Sequence, residues 1–475
     1  MQQTVVIDVV GLTPRMLGAD TPNLVRLSQR GGVRNLGAVT PAVTCTAQTT
    51  LLTGLLPRQH GIVANGWYFR DLSEIWFWRQ SNALVTGEFV WDAAKARDSA
   101  FTCANMFWWY NMYSDADIGV TPRPMYLADG RKIPDCYAAP GELRAELTKL
   151  LGPFPLFSFW GPATTIASSE WIARAAIHVR RTRRPTLTLI YLPHLDYGLQ
   201  RVGPHHPSIA DDFRAVDALC GEIIANAETD GAEVIVVSEY GVTPVDAPVH
   251  INRALREAGL IAVRDELGRE QLDPGASEAF AVADHQHAHV YVRRPGTVRR
   301  VRALLEALPG VERVLDKEGK AAYGLDHERS GELVALSRAD RWFTYYHWLD
   351  DDRAPDYART VDIHRKPGYD PVELFLDPAI RFPKLSIGWR LAKRKLGART
   401  LMDVIPLDAR LVKGSHGRVT DAAIDGPVLI SSNPSLLPAG DIEPTDVKRL
   451  ILAHIFPRTE TPPIRSKGAD SDYVA

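Results

Sequence analysis

Short, nearly continuous apolar runs recur along the chain, at "TVVIDVV" (4–10), "TLTLIYL" (186–192) and "AEVIVVS" (232–238). Each ends in polar or glycine residues. Between them lie amphipathic stretches, at 21–30 and at 208–228, "SIADDFRAVDALCGEIIANAE". Strands buried on both faces read as unbroken apolar runs, whereas half-exposed strands alternate, so the pattern predicts an α/β fold. Its core is a mostly parallel sheet sandwiched by helices. In such sheets the chemistry sits just beyond the carboxyl ends of the strands.

Two regions break the alternation. Residues 101–165 are crowded with aromatics and prolines ("MFWWYNMYSDAD", "FPLFSFWGP"), which predicts a cap inserted over the active face. Residues 339–400 read as a second irregular insertion. The expectation is one domain over 1–455 carrying both insertions, with a disordered tail at 456–475. No internal repeat is visible.

Composition narrows the class. The 475 residues are 45% hydrophobic and 24% charged with a net charge of −2, which suits a large globular core and argues against a nucleic-acid polymer as partner. The basic runs "RRTRRP" (180–185) and "RLAKRKLGAR" (390–399) read as solvated helix faces. The four cysteines, Cys45, Cys103, Cys136 and Cys220, have no CxxC spacing and are expected to be free thiols. With neither a signal-peptide pattern nor a membrane-length apolar run, the expectation is a cytoplasmic protein without membrane insertion. The pattern sets no oligomeric state.

The strand ends carry the candidate chemistry. Asp8 lies in the first run; Asp196, Gln200, His205 and His206 follow the second, and Glu239 and Tyr240 follow the third. In "AVADHQHAHVYV" (281–292) the spacing puts His285, His287 and His289 on one face of a strand. His416 stands in a glycine-flanked turn, "VKGSHGR". Carboxylates and imidazoles gathered from separate strand ends suit a divalent ion, zinc first, with manganese or magnesium as options. The stretch "AVTCTAQTTLLTG" (42–54) places a cluster of threonines where a helix begins, either as caps for the first turn or as a presented nucleophile.

The order of these pieces resembles the alkaline phosphatase superfamily, in its nucleotide pyrophosphatase/phosphodiesterase branch. The resemblance runs from residue 4 to about 430. It rests on "PAVTCTAQTTLLTGLLPRQHGIVAN" (41–65), "YLPHLDYGLQRVGP" (191–204), "SEYGVTPV" (238–245), "INRALREAGL" (251–260) and "GSHG" (414–417). It implies that Thr44 attacks phosphorus and that Asp196 and His416 bind metal, with the later threonines supporting the helix start. Departures are plain. Gln200 stands for a family His, Glu239-Tyr240 for an Asp-His pair, Ala47 for an Asn and Val10 for the first metal-binding Asp. Asp8 is two residues earlier, displaced by roughly 6.6 Å along the strand. Either one or two ions are held by a rearranged shell, with His285, His289, Asp284, Asp362 or His364 as substitutes, or the chain is a silent binder of a phosphorylated ligand. A transferase using the same threonine is a third option.

The implied substrate is a small phosphate ester, most simply a phosphodiester or a pyrophosphate-linked nucleotide. Asn65, Trp67 and Tyr68 follow the nucleophile region, where relatives carry an aromatic that stacks on a base, and with Gln200 and Tyr240 they form the expected substrate-binding set. Arg123 and Arg131 suit phosphate through their planar forks.

Overall fold

The computed structural model describes residues 1–457. Along the chain come the strands β1 (Thr4–Val9), β2 (Gly32–Asn35), β3 (Cys103–Met106), β4 (Ile118–Pro122), β5 (Cys136–Ala139), β6 (Leu187–Leu192) and β7 (Glu233–Val237). Then follow β8 (Ala279–Asp284), β9 (His287–Val292), β10 (Val311–Leu315), β11 (Leu333–Ser337) and β12 (Val428–Ser431). The helices that matter below are α1 (Pro22–Arg30), α2 (Thr44–Thr53), α3 (Ala167–Arg183), α4 (His194–Val202), α5 (Ile209–Thr229), α6 (Pro383–Lys395) and α7 (Val447–Ile455).

Eight strands form the main sheet in the order β2-β12-β7-β1-β6-β3-β4-β5. The central five, β7 to β4, run parallel; β12 and β5 are antiparallel to their inner neighbours. All six residues of β1 and of β6 are buried, which is why both read as unbroken apolar runs. Each Val, Leu or Ile so buried contributes about 1.5–3 kcal/mol. Helices α1 and α3 each pack on α5 and all three pack against the sheet, while α7 packs against β1 and α2.

The segment 101–165 is not wholly a cap. It supplies β3, β4 and β5, which extend the main sheet, because its apolar stretches ("TCANM", "IGVTP") bury against β6 and α3 rather than over the strand ends. A second, antiparallel sheet, β8-β9-β11-β10, is built from residues 279–337 around its own core of Leu, Val and Phe side chains. Residues 339–400 form a third apolar cluster around Trp342, Tyr345, Tyr346 and Trp348. Of the expected tail at 456–475, only Phe456 and Pro457 belong to the described residues; the rest lies outside them.

Candidate active site

Three carboxylates meet at the carboxyl ends of β1, β6 and β7. Asp8 is the fifth residue of β1, opposite Tyr191 and Val237; Asp196 is in the first turn of α4, just after β6; Glu239 follows β7. All three side chains are buried. The parallel register of β6, β1 and β7 brings Asp8 together with residues 188 and 231 positions further along the chain.

Thr44 is the first residue of α2, after Val43 in extended backbone (φ −135°, ψ 153°). The first intrahelical bond is Ala47 N–H to the Val43 carbonyl, so the amides before it belong to the open end of the helix. Cys45 N–H is taken by Asn65 Oδ1 at 2.9 Å. The Thr44 hydroxyl does not cap the helix; it lies 3.1 Å from the Tyr240 hydroxyl. The later threonines do not support the helix start either. Thr49 and Thr53 donate back to the Cys45 and Thr49 carbonyls, at 2.7 and 2.6 Å, because a Thr inside a helix reaches the preceding turn's carbonyl more readily than an amide. Gly54, at φ 71°, ends the helix in the left-handed conformation.

One turn on from Thr44, the Gln48 amide nitrogen donates to Asp8 Oδ2 (3.0 Å) and Glu239 Oε1 (2.7 Å), and its oxygen accepts Trp109 N–H (2.7 Å). Gln200 donates to Asp196 Oδ2 (2.7 Å) and accepts from the Tyr369 hydroxyl (3.0 Å). Four rings form a column: Tyr240 on His416 at 3.7 Å, His416 on His285 at 3.7 Å, and His285 on Tyr369 at 3.7 Å. His416 Nδ1 is bound to the Ala42 carbonyl at 2.8 Å, leaving Nε2 facing Asp196 Oδ1 at 3.7 Å.

Burial governs the electrostatics. It pushes the Asp8 carboxyl up to about 7 against the hydrogen bonds from Glu239 and Gln48, and Asp196 up to about 8 with help from the Glu239 charge. Glu239 is raised well above the usual range by burial and by Asp8. Burial holds the His285 and His416 imidazoles neutral, well below the ordinary histidine value.

The histidine spacing in 281–292 is resolved differently from its sequence reading. Asp284 pairs with His287 across a hairpin, so His285 and Gln286 are a two-residue turn between β8 and β9, with His285 at φ 60°. Only His287 and His289 share a strand face. The turn carries His285 into the ring column, and it is clamped there by Gln286 N–H on the His416 carbonyl (2.8 Å). Gly417 permits this approach: a Cβ at that position would lie 3.0 Å from Gln286 N, on a backbone already at φ +110°.

Several expected site residues are used elsewhere. His289 is spent at both nitrogens, on the Val63 carbonyl (3.0 Å) and Gly331 N–H (3.2 Å). His364 lies against the Phe77 carbonyl (3.4 Å) and the Tyr126 ring, and Asp362 is beside it in the 339–400 segment rather than with the carboxylates. Trp67 is buried, stacked on Phe69 and under the Arg329 guanidinium; Tyr68 packs edge-on against Phe280 and Tyr291. Asn65 ties Cys45 to Asp284, which accepts both its N–H (2.9 Å) and its side-chain amide (3.2 Å). Two members of the cluster lie outside the sequence expectation. Gln48 was legible as the residue one helical turn from Thr44, on the same face. Tyr369 had no signal, because it arrives from a distant irregular segment.

The donor set does not fit the two-ion centre that the sequence resemblance implies. One amide already bridges Asp8 and Glu239, another holds Asp196, and the His285 and His416 rings lie against each other, tilted by 37°, within the ring column. Among the described residues no three His, Cys, Asp or Glu side chains are grouped as an ion would require. Asp8 Oδ1, Asp196 Oδ1, Glu239 Oε2, His285 Nε2 and His416 Nε2 are buried without a hydrogen-bond partner, and of these Asp196 Oδ1 and His416 Nε2 face each other at 3.7 Å.

A mixed, mostly parallel eight-stranded sheet flanked by helices, with buried carboxylates at its carboxyl edge beside a helix-start threonine, defines an alkaline-phosphatase-like protein. Solved structures agree on the fold. Phosphonoacetate hydrolase from Sinorhizobium meliloti 1021 superposes with a TM-score of 0.63 over 95% of this chain and 96% of that one, at 17% identity. Human ectonucleotide pyrophosphatase/phosphodiesterase 5 gives 0.57 over 98% and 97%, at 14% identity. The chain belongs to the type I phosphodiesterase/nucleotide pyrophosphatase family, whose pattern it matches over residues 4–370. An uncharacterized pyrophosphatase/phosphodiesterase of Schizosaccharomyces pombe is 26% identical over 236 residues, which is 47% of this chain and 41% of that protein. The chain thus matches less than half the length of that relative.

Proposed function

We propose that this chain hydrolyses a small phosphate ester, of the phosphodiester or pyrophosphate kind, with Thr44 as the group that attacks phosphorus. The observation that carries the reading is the position of the Thr44 hydroxyl. It stands at the open N-terminus of α2, which favours an anion, and 3.1 Å from the Tyr240 hydroxyl, whose neighbour Glu239 carries a buried carboxyl oxygen without a hydrogen-bond partner. In this reading the Thr44 oxygen bonds to phosphorus as the P–O bond to the alcohol or phosphate leaving group breaks, and the hydroxyl proton goes to that leaving group. Water then attacks the phosphothreonine, restoring the hydroxyl. A second reading, silent binding of the same ligand class, is favoured by one observation: the Gln48 and Gln200 amides already occupy the carboxylates.

The test is hydrolysis of bis(4-nitrophenyl) phosphate by the purified full chain, with chelator and with added zinc or manganese. Turnover is expected, and Thr44→Ala should lower it at least about a hundredfold with an unchanged melting temperature. Turnover that survives Thr44→Ala removes the covalent step. Absence of turnover under every ion, with inorganic phosphate still raising the melting temperature, assigns the silent reading.

A further inference from the structure

Helix α6 lies within the 339–400 insertion and has no buried residue anywhere along its 13 positions. One face is held to the body of the protein: Ile387 packs against the Trp342–Tyr345–Trp348 cluster, and the Arg390 guanidinium meets Asp403 at 2.8 Å. The opposite face is apolar and bare. Phe382, Leu385, Trp389 and Leu396 are 62%, 72%, 61% and 85% exposed. Their spacing of three, four and seven residues lines them up as one stripe along about 20 Å of helix.

The charge around this stripe is one-sided. Between Asp377 and Asp403 the sequence contains seven Lys or Arg and no Asp or Glu. On a helical projection Lys393 borders the stripe on one side and Lys384 and Lys395 on the other. The Lys393 ammonium lies 5.2 Å from the Trp389 ring centre, its stem running beside the apolar face. Long cationic side chains flanking a stripe of Phe, Trp and Leu are arranged to reach a layer of negative charge at the level where the apolar groups enter.

From the bare stripe and its acid-free basic border we infer that α6 docks the protein onto an anionic lipid surface, lying in the plane of the interface. No helix among the described residues is long and apolar enough to cross a membrane, so this is surface attachment. A second copy of the chain is a poor occupant. Two such faces would bring two strongly basic surfaces together with no carboxylate between them. The run "RLAKRKLGAR", which reads in isolation as a solvated face, acquires a partner because the apolar stripe beside it is left uncovered.

The test is flotation of the full chain with vesicles of phosphatidylcholine alone and of phosphatidylcholine mixed with phosphatidylglycerol. Binding is expected on the anionic vesicles only, and it should be released by salt at about 0.5 M. Trp389→Glu, and separately the triple change Lys393→Glu, Arg394→Glu and Lys395→Glu, should each weaken binding about tenfold or more with unchanged melting temperature. Failure of the wild-type chain to float, or variants that bind as wild type does, overturns the inference. So does a concentration-dependent dimer that Trp389→Glu dissolves, which assigns the stripe to a second copy. None of these readouts involves Thr44 or phosphate-ester turnover, so the two proposals stand or fall separately.

Discussion

Replacing Gln48 by Met keeps a buried side chain of similar volume and removes the amide on which the carboxylate cluster depends. Three hydrogen bonds disappear: those to Asp8 and Glu239, and the one accepted from Trp109 N–H. Each bond to a neutral acid contributes about 1 kcal/mol net and each to an ionised one about 1.5–3 kcal/mol. The stranded Trp109 N–H adds about 1–3 kcal/mol. These terms overlap, so the expected loss is about 3–5 kcal/mol, read as a lower urea midpoint by tryptophan fluorescence. The loss should depend on pH. The Gln48 bonds favour the ionised carboxylates, and Asp8 ionises near 7, so the penalty should be larger at pH 8 than at pH 6. A loss below about 1 kcal/mol at both pH values would refute the assignment of Gln48 as the bridge.

Asp196 should contribute, with Asp8 and Glu239, to a fall in stability as pH rises. The folded protein keeps the Asp196 proton up to about 8, whereas an ordinary Asp releases it near 3.8, so stability should fall by on the order of a few kcal/mol as pH rises across that window. Asp196→Asn should flatten the melting-temperature profile over the same range, and an unchanged slope would assign the effect to another group. Lys366 is buried with its ammonium 2.7 Å from both Asp370 and Glu373, which anchors the segment that delivers Tyr369. Lys366→Met leaves two buried carboxylates without their cation and should cost about 3–5 kcal/mol in urea unfolding; a loss within experimental error would show that the segment is held by its aromatic packing alone.

Much of this molecule was legible in its residues. The unbroken apolar runs at 4–10, 186–192 and 232–238 marked strands buried on both faces, because only such strands can dispense with a polar side. Those runs also located Asp8, Asp196 and Glu239 at the ends where chemistry collects, and "TCTAQTTLLTG" marked a helix start. Other features depended on which neighbours reached them. A period of two cannot distinguish a strand from a hairpin with a two-residue turn, so only the Asp284–His287 pairing revealed that His285 leaves the strand and joins the site. The aromatic richness of 101–165 suggested a cap, yet its apolar segments found a free edge of the main sheet and extended it. Tyr369 takes its role from atoms far away in sequence, and side-chain type carries no record of that distance. Residue chemistry thus determined where the sheet runs and where its carboxylates lie. Tertiary packing alone decided that amides and stacked rings, not converging ligands, surround them.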